Sequence, residues 1–365
     1  MASAARAPAL PAAGRRLLEV TVVRNLLGAI VAGLILLFLS LALDPFGNLQ
    51  LATMAYYFVA IAGLTLLTGI NGQISLGHGA LMAVGAYTTV KLQETQELPL
   101  IAELGAAVLL TSVVGVLAGA AAARLRGPYL AGATLALAVG LPGIANRYAD
   151  FLGGENGLSG IPPTPPASLG ETFALERWQA WIACLAALAT WFLLANLVRS
   201  RFGRTFRAVR DDEVAAELAG LHVARVQVLA FVVSAACAGL GGALLVVVTS
   251  VAAPGAFTLV LSVALLTGVI LGGLGSLVGA AWGAAIVVLL PTWAEDAGQA
   301  LSLPTKVEAN LPLAAYGLVL IGVMLMAPQG IQGAVRRAGG LLGRAGSRGR
   351  DKTDHGSAVG KEERS

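Results

Sequence analysis

Charge is scarce in this sequence. Only 12% of its 365 residues are Asp, Glu, Lys or Arg, where a soluble domain carries roughly 25%. Apolar residues make up 57%, and the mean hydropathy is +0.79. Such a chain cannot cover its surface with polar groups, so lipid is the natural solvent for most of it. Cysteine is nearly absent. Cys184 and Cys237 both lie in apolar runs and no CxxC occurs, which excludes a disulfide framework and a zinc site and leaves them as small core residues. No G-x-x-x-x-G-K-[ST] exists, since Gly360-Lys361 is followed by Glu362, so ATP is not held through a P-loop. HExxH and G-x-S-x-G are missing too, and Gly272-Gly273-Leu274-Gly275 lacks the strand context of a dinucleotide fold. Catalysis by this chain is not expected, and neither a metal nor another cofactor is implied.

What is present is a succession of apolar runs. The first, Leu26–Leu43, follows Arg6, Arg15, Arg16 and Arg24. At 1.5 Å per residue it reaches about 27 Å, close to the hydrocarbon thickness and longer than a signal-peptide core, and reads as a retained helix. Ten spans are expected in all: 26–43, 51–69, 76–92, 101–123, 128–146, 178–198, 228–250, 257–272, 276–293 and 311–327. The third, eighth and ninth are interrupted by Gly, Ser and Thr. The fold class expected is an all-α, polytopic transmembrane bundle.

The basic residues assign sides. With residues 1–25 inside, alternation puts four Lys/Arg in 1–25, two at Arg124–Arg126, six in 199–225 and eight in 328–365 on the cytoplasmic face. Only Lys91, Arg147, Arg177 and Lys306 fall outside. This is the positive-inside pattern, with both ends cytoplasmic. The net charge of +4 therefore reports membrane topology, and no nucleic-acid partner is inferred. The division expected is a cytoplasmic segment 1–25, a membrane domain 26–331 and a basic tail 332–365. That tail is Gly, Ser and charge, too polar to bury a core. Two outer segments, 147–177 and 294–310, read as irregular caps over the bundle. The span count permits inverted four-span repeats (spans two to five and seven to ten), an arrangement that places a transport path at the repeat interface.

No carboxylate sits in the central turns of the confident spans, whereas ion-coupled carriers often place Asp, Glu or His there. Energy coupling is therefore expected from outside the membrane. Two segments stand out. Gly69–Gly79 is polar and Gly-rich between apolar runs. Irregular backbone at membrane depth is tolerated only against protein or water, so it is either a broken segment lining a path or a tight loop with small-residue packing. Candidates for such a path are Gln73, Ser75 and His78, with Thr134, Gly272, Gly273 and Gly275. The other is cytoplasmic, 199–225. There Asp211 or Asp212 can cap a short helix, Ala215, Ala216 and Leu218 suit its body, and Gly220 can end it. A charged helix lying on the membrane face is a handle for a partner, or else only a basic loop.

At these residues the chain resembles the M-type permeases of branched-chain amino acid ABC importers. GQISLGHGALMAVGAY (72–87) is similar to their GQxSLGHxxFxxxGAY. LRGPYLAGATLALA (125–138), GGENGLSGIPP (153–163), the stretch 199–245, VILGGLGSLVGAAWGA (269–284) and APQGI (327–331) follow in the family's order. The sequence departs from the pattern with Asn156 where Asp is common, Val226-Gln227 where Lys is usual and Leu81 where Phe is common. The resemblance implies a permease of the bacterial inner membrane that pairs with a second, related permease. Two ATPase subunits would sit on the cytoplasmic face and a solute-binding protein outside. Arg207, Arg210, Asp211, Asp212, Glu213, Ala216 and Gly220 would then form the ATPase-docking loop. The alternatives are urea or short amides as cargo, a stand-alone secondary carrier, and an assembly factor that moves no solute.

Overall fold

The computed structural model describes residues 12–96, 98–124, 128–170, 173–301, 311–326 and 329–337. They are almost wholly helical, as lipid requires of a backbone whose every N–H and C=O needs an internal partner. The main helices are α1 (Ala12–Ala42), α2 (Pro45–Leu64), α3 (His78–Thr95), α4 (Leu100–Ala122), α5 (Pro128–Arg147), α6 (Leu175–Arg199), α7 (Arg201–Asp211), α8 (Glu213–Leu218), α9 (Val223–Thr249), α10 (Leu259–Gly272), α11 (Leu277–Ala300) and α12 (Leu311–Met326).

Each of the ten expected spans overlaps one of these helices, although 51–69 runs past α2 into the stretch Thr65–Ile70 and 327 lies outside the described residues. Among the described residues, however, seven are long and apolar enough to cross a membrane by themselves: Thr21–Ala42, Pro45–Ile70, Leu100–Ala121, Tyr129–Arg147, Leu175–Arg199, Val223–Thr249 and Leu277–Ala300. Of the other three, α10 and α3 fall short for physical reasons. α10 has 14 residues, about 21 Å against a hydrocarbon core of about 30 Å. α12 is described over 16 residues, and the residues on either side of it, 302–310 and 327–328, lie outside the described ones. α3 is more polar, with Thr88, Thr89, Lys91, Gln93 and Glu94 along it. Both α3 and α10 are buried on most faces by neighbouring helices, where such segments are tolerated.

Two helices form the middle of the bundle. α9 packs on α4, α3 and α2, and α2 packs on α6 and α11. The most apolar windows of α2 and α9 are 78% buried, against 11% for α1, which lies at the periphery on α6. Small residues let the backbones meet. A Cβ at Gly242 of α9 would stand 1.8 Å from the Met82 carbonyl oxygen of α3, and one at Gly85 would stand 2.1 Å from that of Gly239. Gly268 and Gly283 bring α10 against α11 in the same way. Cys184 and Cys237 are buried free thiols.

Loops gather at two ends. At one, Leu158–Ser159 pairs antiparallel with Val251–Ala252. Gly160 N–H donates to the Ser250 carbonyl at 2.8 Å, and Ile161 N–H to Gln93 Oε1 at 2.9 Å. Trp181 and Asn48 join there through Ser40. Lys91 lies over the Phe151 ring at this end, and Arg147 and Arg177 belong to it. At the opposite end Arg199 donates to Asn25, beside Arg24, and Arg124 lies near Arg225. The arginines of α7 are also here, so the described basic residues are concentrated at one end of the bundle.

Several boundaries differ from expectation. α1 starts by Ala12, so much of 1–25 is helical, and residues 1–11 lie outside the described ones. α11 continues through Glu295 and Asp296 to Ala300. Only 301 of the rest of that expected outer cap is described. Residues 330–337 are helical, so the expected tail begins with a helix, and 338–365 lie outside the described residues.

Candidate functional site

The break between α2 and α3 sits at the basic end. After Leu64 the helix widens into a π-helical stretch, Thr65–Ile70, and Asn71 N–H donates to the Leu66 carbonyl at 3.0 Å. The backbone then leaves helical form, which leaves carbonyls at the helix end without an intrahelical partner. The Gly69 carbonyl is one of these, and Arg210 of α7 supplies its partner, Nη1 to O at 2.9 Å. The same guanidinium grips Asp211 Oδ1 from Nε at 2.9 Å and Nη2 at 2.7 Å. Gly72, at φ +86°, lies against the Arg210 side chain, and a Cβ there would stand 2.7 Å from its Cγ.

The expected path residues are all in this region, yet most of their polar groups are spent on the framework. Gln73 is 7% exposed. Its Nε2 donates to Asn71 Oδ1 at 2.5 Å and to the Gln227 carbonyl at 3.0 Å. Ser75 is fully buried, with Oγ accepting from Gly77 N–H at 3.4 Å. His78 is fully buried with Nε2 3.1 Å from the Ala60 carbonyl, and its Nδ1 has no partner among the described residues. Thr134 Oγ1 of α5 accepts from Leu76 N–H at 3.0 Å. Ser262 Oγ of α10 accepts from Gly79 N–H at 3.0 Å. The break is thus tied to α2, α5, α9 and α10.

The second Gly-rich turn meets the first. A Cβ at Gly69 would stand 2.3 Å from the Gly275 nitrogen, so the two turns lie back to back. Gly273 and Gly275 adopt φ +117° and +80°, which L side chains rarely do. Gly272 abuts Gly279 across the α10–α11 turn, and Gly273 abuts Gly330. These three expected path residues thus approach the backbone of α11, of residues 329–330 and of the break after α2, in that order.

The 199–225 segment forms two helices, where the sequence led to one. α7 is strongly amphipathic: Gly203, Phe206 and Val209 are buried, and Arg207 Nη2 donates to the Val198 carbonyl at 3.2 Å. α7 ends at Asp212, whose side chain caps α8 by accepting from Val214 N–H at 2.9 Å and Ala215 N–H at 3.0 Å. Ala216 is buried against Val209 and Val223. Gly220, at φ +84°, follows the end of α8. Glu213 Oε1 accepts from Gln227 Nε2 at 2.8 Å. A chain of contacts therefore runs from α8 through Gln227 to Gln73, parallel to the Arg210–Gly69 contact.

Three features escaped the sequence. Gln227 figured only as a departure from a family pattern. Ser262 lies in an apolar run with nothing to single it out. Val214 and Leu218, four apart on one face of α8, are 66% and 85% exposed. Their spacing was legible, but their outward orientation depends on Ala216 facing in.

Residues 46–328 match the family described as branched-chain amino acid transport system / permease component. Among curated relatives, the high-affinity branched-chain amino acid transport system permease protein LivM of Salmonella typhimurium is 31% identical over 254 residues. The Escherichia coli LivM is 31% identical over the same length. Each alignment covers 63% of this chain and 59% of the relative, so the chain spans about three fifths of these LivM proteins. BraD of Pseudomonas aeruginosa is 28% identical over 293 residues, covering 76% of this chain and 91% of BraD. No solved structure matches.

Proposed function

The chain belongs to the family of branched-chain amino acid transport permease components, and from that membership we propose that it is the transmembrane subunit of an ABC importer for branched-chain or related amino acids. It is a multi-pass, all-α membrane protein. In this reading it crosses the inner membrane ten times, with its basic end in the cytoplasm. It pairs with a second, related permease and receives cargo from an extracytoplasmic solute-binding protein. ATP is hydrolysed on two partner ATPase subunits, not on this chain.

The observation that carries the reading is the Arg210–Gly69 contact. It joins the helical pair α7–α8 to the point where α2 breaks, and α2 is a central helix of the bundle. The Gln227 contacts give a second link from α8 to the same break. ATPase closure against the exposed Val214–Leu218 face would displace α8. The two links would pass that displacement to the turns at Gly69–Gly79 and Gly272–Gly275. Because these turns meet backbone to backbone, they would shift together, and α2, α3, α10 and α11 would tilt around a central path. Gln73, Ser75, His78 and Thr134 hold the hinge of this motion.

The test is purification of the solubilised full chain from its host, followed by reconstitution of whatever accompanies it. Recovery of two ATPases and a second permease, with ATP-dependent leucine uptake into proteoliposomes, is the expected outcome. Uptake that follows a proton or sodium gradient without an ATPase overturns the proposal.

A further inference from the structure

Between α4 and α9, at the basic end, lies a groove of about 600 Å³. Its walls are Val116 and Ala120 of α4, Ala123 at the cap of that helix, and Val228, Leu229 and Val232 of α9. Residues 116 and 120 are four apart on α4, as are 225 and 229 on α9, so each wall is built on one helix face, and Arg124 follows just past the end of α4. Both walls run from apolar side chains to an arginine, Arg124 in the turn that follows α4 and Arg225 in the first turn of α9. Both arginines are exposed, and among the described residues the ion pairs are Lys91–Glu94 and Arg210–Asp211, so neither is neutralised by a carboxylate. No side chain caps the start of α9 beside Arg225, which adds the positive end of a helix dipole. A second groove of about 260 Å³ shares Arg225 and Leu229 and is bounded by Arg201 and Phe202.

We propose that this is a binding site for one anionic phospholipid, its phosphate held between Arg124 and Arg225 and an acyl chain laid along the groove. The pattern of the walls is the complement of such a molecule: apolar toward the bilayer, cationic at the headgroup level. Basic clusters between spanning helices attract acidic headgroups. A zwitterionic lipid would leave the paired guanidinium charge without a net counter-charge. A soluble anion would leave the apolar walls empty. The adjoining groove offers a place for a second chain, with Arg201 at its edge. The site is separate from the break at Gly69 and does not depend on which solute is carried.

The test uses the full chain in zwitterionic nanodiscs and in detergent. The probes are phosphatidylglycerol, phosphatidylcholine and glycerol 3-phosphate, read by native mass spectrometry and thermal shift. Phosphatidylglycerol should be retained and should raise the melting temperature, with little effect of the other two. R124Q combined with R225Q should bind it about thirtyfold more weakly, while R124K with R225K keeps most of the binding. A120F, which fills the groove and leaves both charges, should also lose it. If the glutamine pair fails to fold, the lysine pair and A120F carry the test. Equal retention of phosphatidylcholine, undiminished binding in the glutamine pair and A120F, or full competition by glycerol 3-phosphate overturns the proposal. So does normal lipid binding by the glutamine pair accompanied by loss of an acidic protein partner.

Discussion

Arg210 and Gly69, 141 positions apart, share a hydrogen bond of 2.9 Å from a guanidinium to a main-chain carbonyl. The bond exists because α2 ends in a π-helical turn that strands this carbonyl, and because Gly72 leaves room for the arginine stem. A charged donor to a buried acceptor is worth about 1.5–3 kcal/mol.

R210A should therefore lower ATP-driven uptake roughly tenfold or more, with the protein still inserted and its ATPases still bound. R210K keeps the charge but not the fork and should fall between. Uptake and ATP hydrolysis measured together in proteoliposomes decide the matter. Wild-type uptake by R210A would show that the contact transmits nothing.

The exposed α8 face makes a separate prediction. V214S with L218S removes apolar surface that the fold itself does not bury. The melting temperature of the isolated chain should stay within a degree or two, since changes at exposed positions cost less than about 0.5 kcal/mol. Co-purification of the ATPases should drop. Unchanged recovery of the complex would remove α8 as the docking surface.

Packing of α3 on α9 can be tested at Gly242. G242V has no room, as the first carbon alone would stand 1.8 Å from the Met82 carbonyl oxygen. It should destabilise by about 1–3 kcal/mol or more, seen as early aggregation in a detergent melt. G132A of α5, with nothing within 4 Å, should melt like wild type.

Asp212 gives a local prediction. D212A removes the α8 cap at a cost of about 1 kcal/mol, whereas D212N keeps an acceptor. Hydrogen exchange over 213–218 should speed up in D212A and stay near wild type in D212N, with α9 unaffected in both.

Much of the fold was written in composition. A backbone in lipid must be helical, so long apolar runs with few charges led directly to α1, α2, α4, α6 and α9. The cap at Asp212 and the stop at Gly220 were legible because capping is chemistry within one turn. The single helix expected for 199–225 was too few. Ser200 starts a first helix by accepting from Phe202 N–H, and it lies in a basic stretch whose charge masks the apolar stripe of Phe206 and Val209.

The candidate site was located by its oddity but not understood from it. Gly and polar residues between apolar runs mark a departure from the lipid rule, whatever its purpose. Ser75 takes the amide of Gly77 two residues on, but that Gln73 and His78 turn inward to backbone carbonyls depends on partners in α9 and α2, 154 and 18 positions away. The same holds for Ser262, invisible inside its apolar run. By itself the sequence determined the solvent of this chain, its helical class, its basic clusters and the places where helices must break. Only the tertiary structure decided which broken ends meet, because hydrogen bonds such as Arg210 to Gly69 and contacts such as Gly69 to Gly275 join residues that no local periodicity connects.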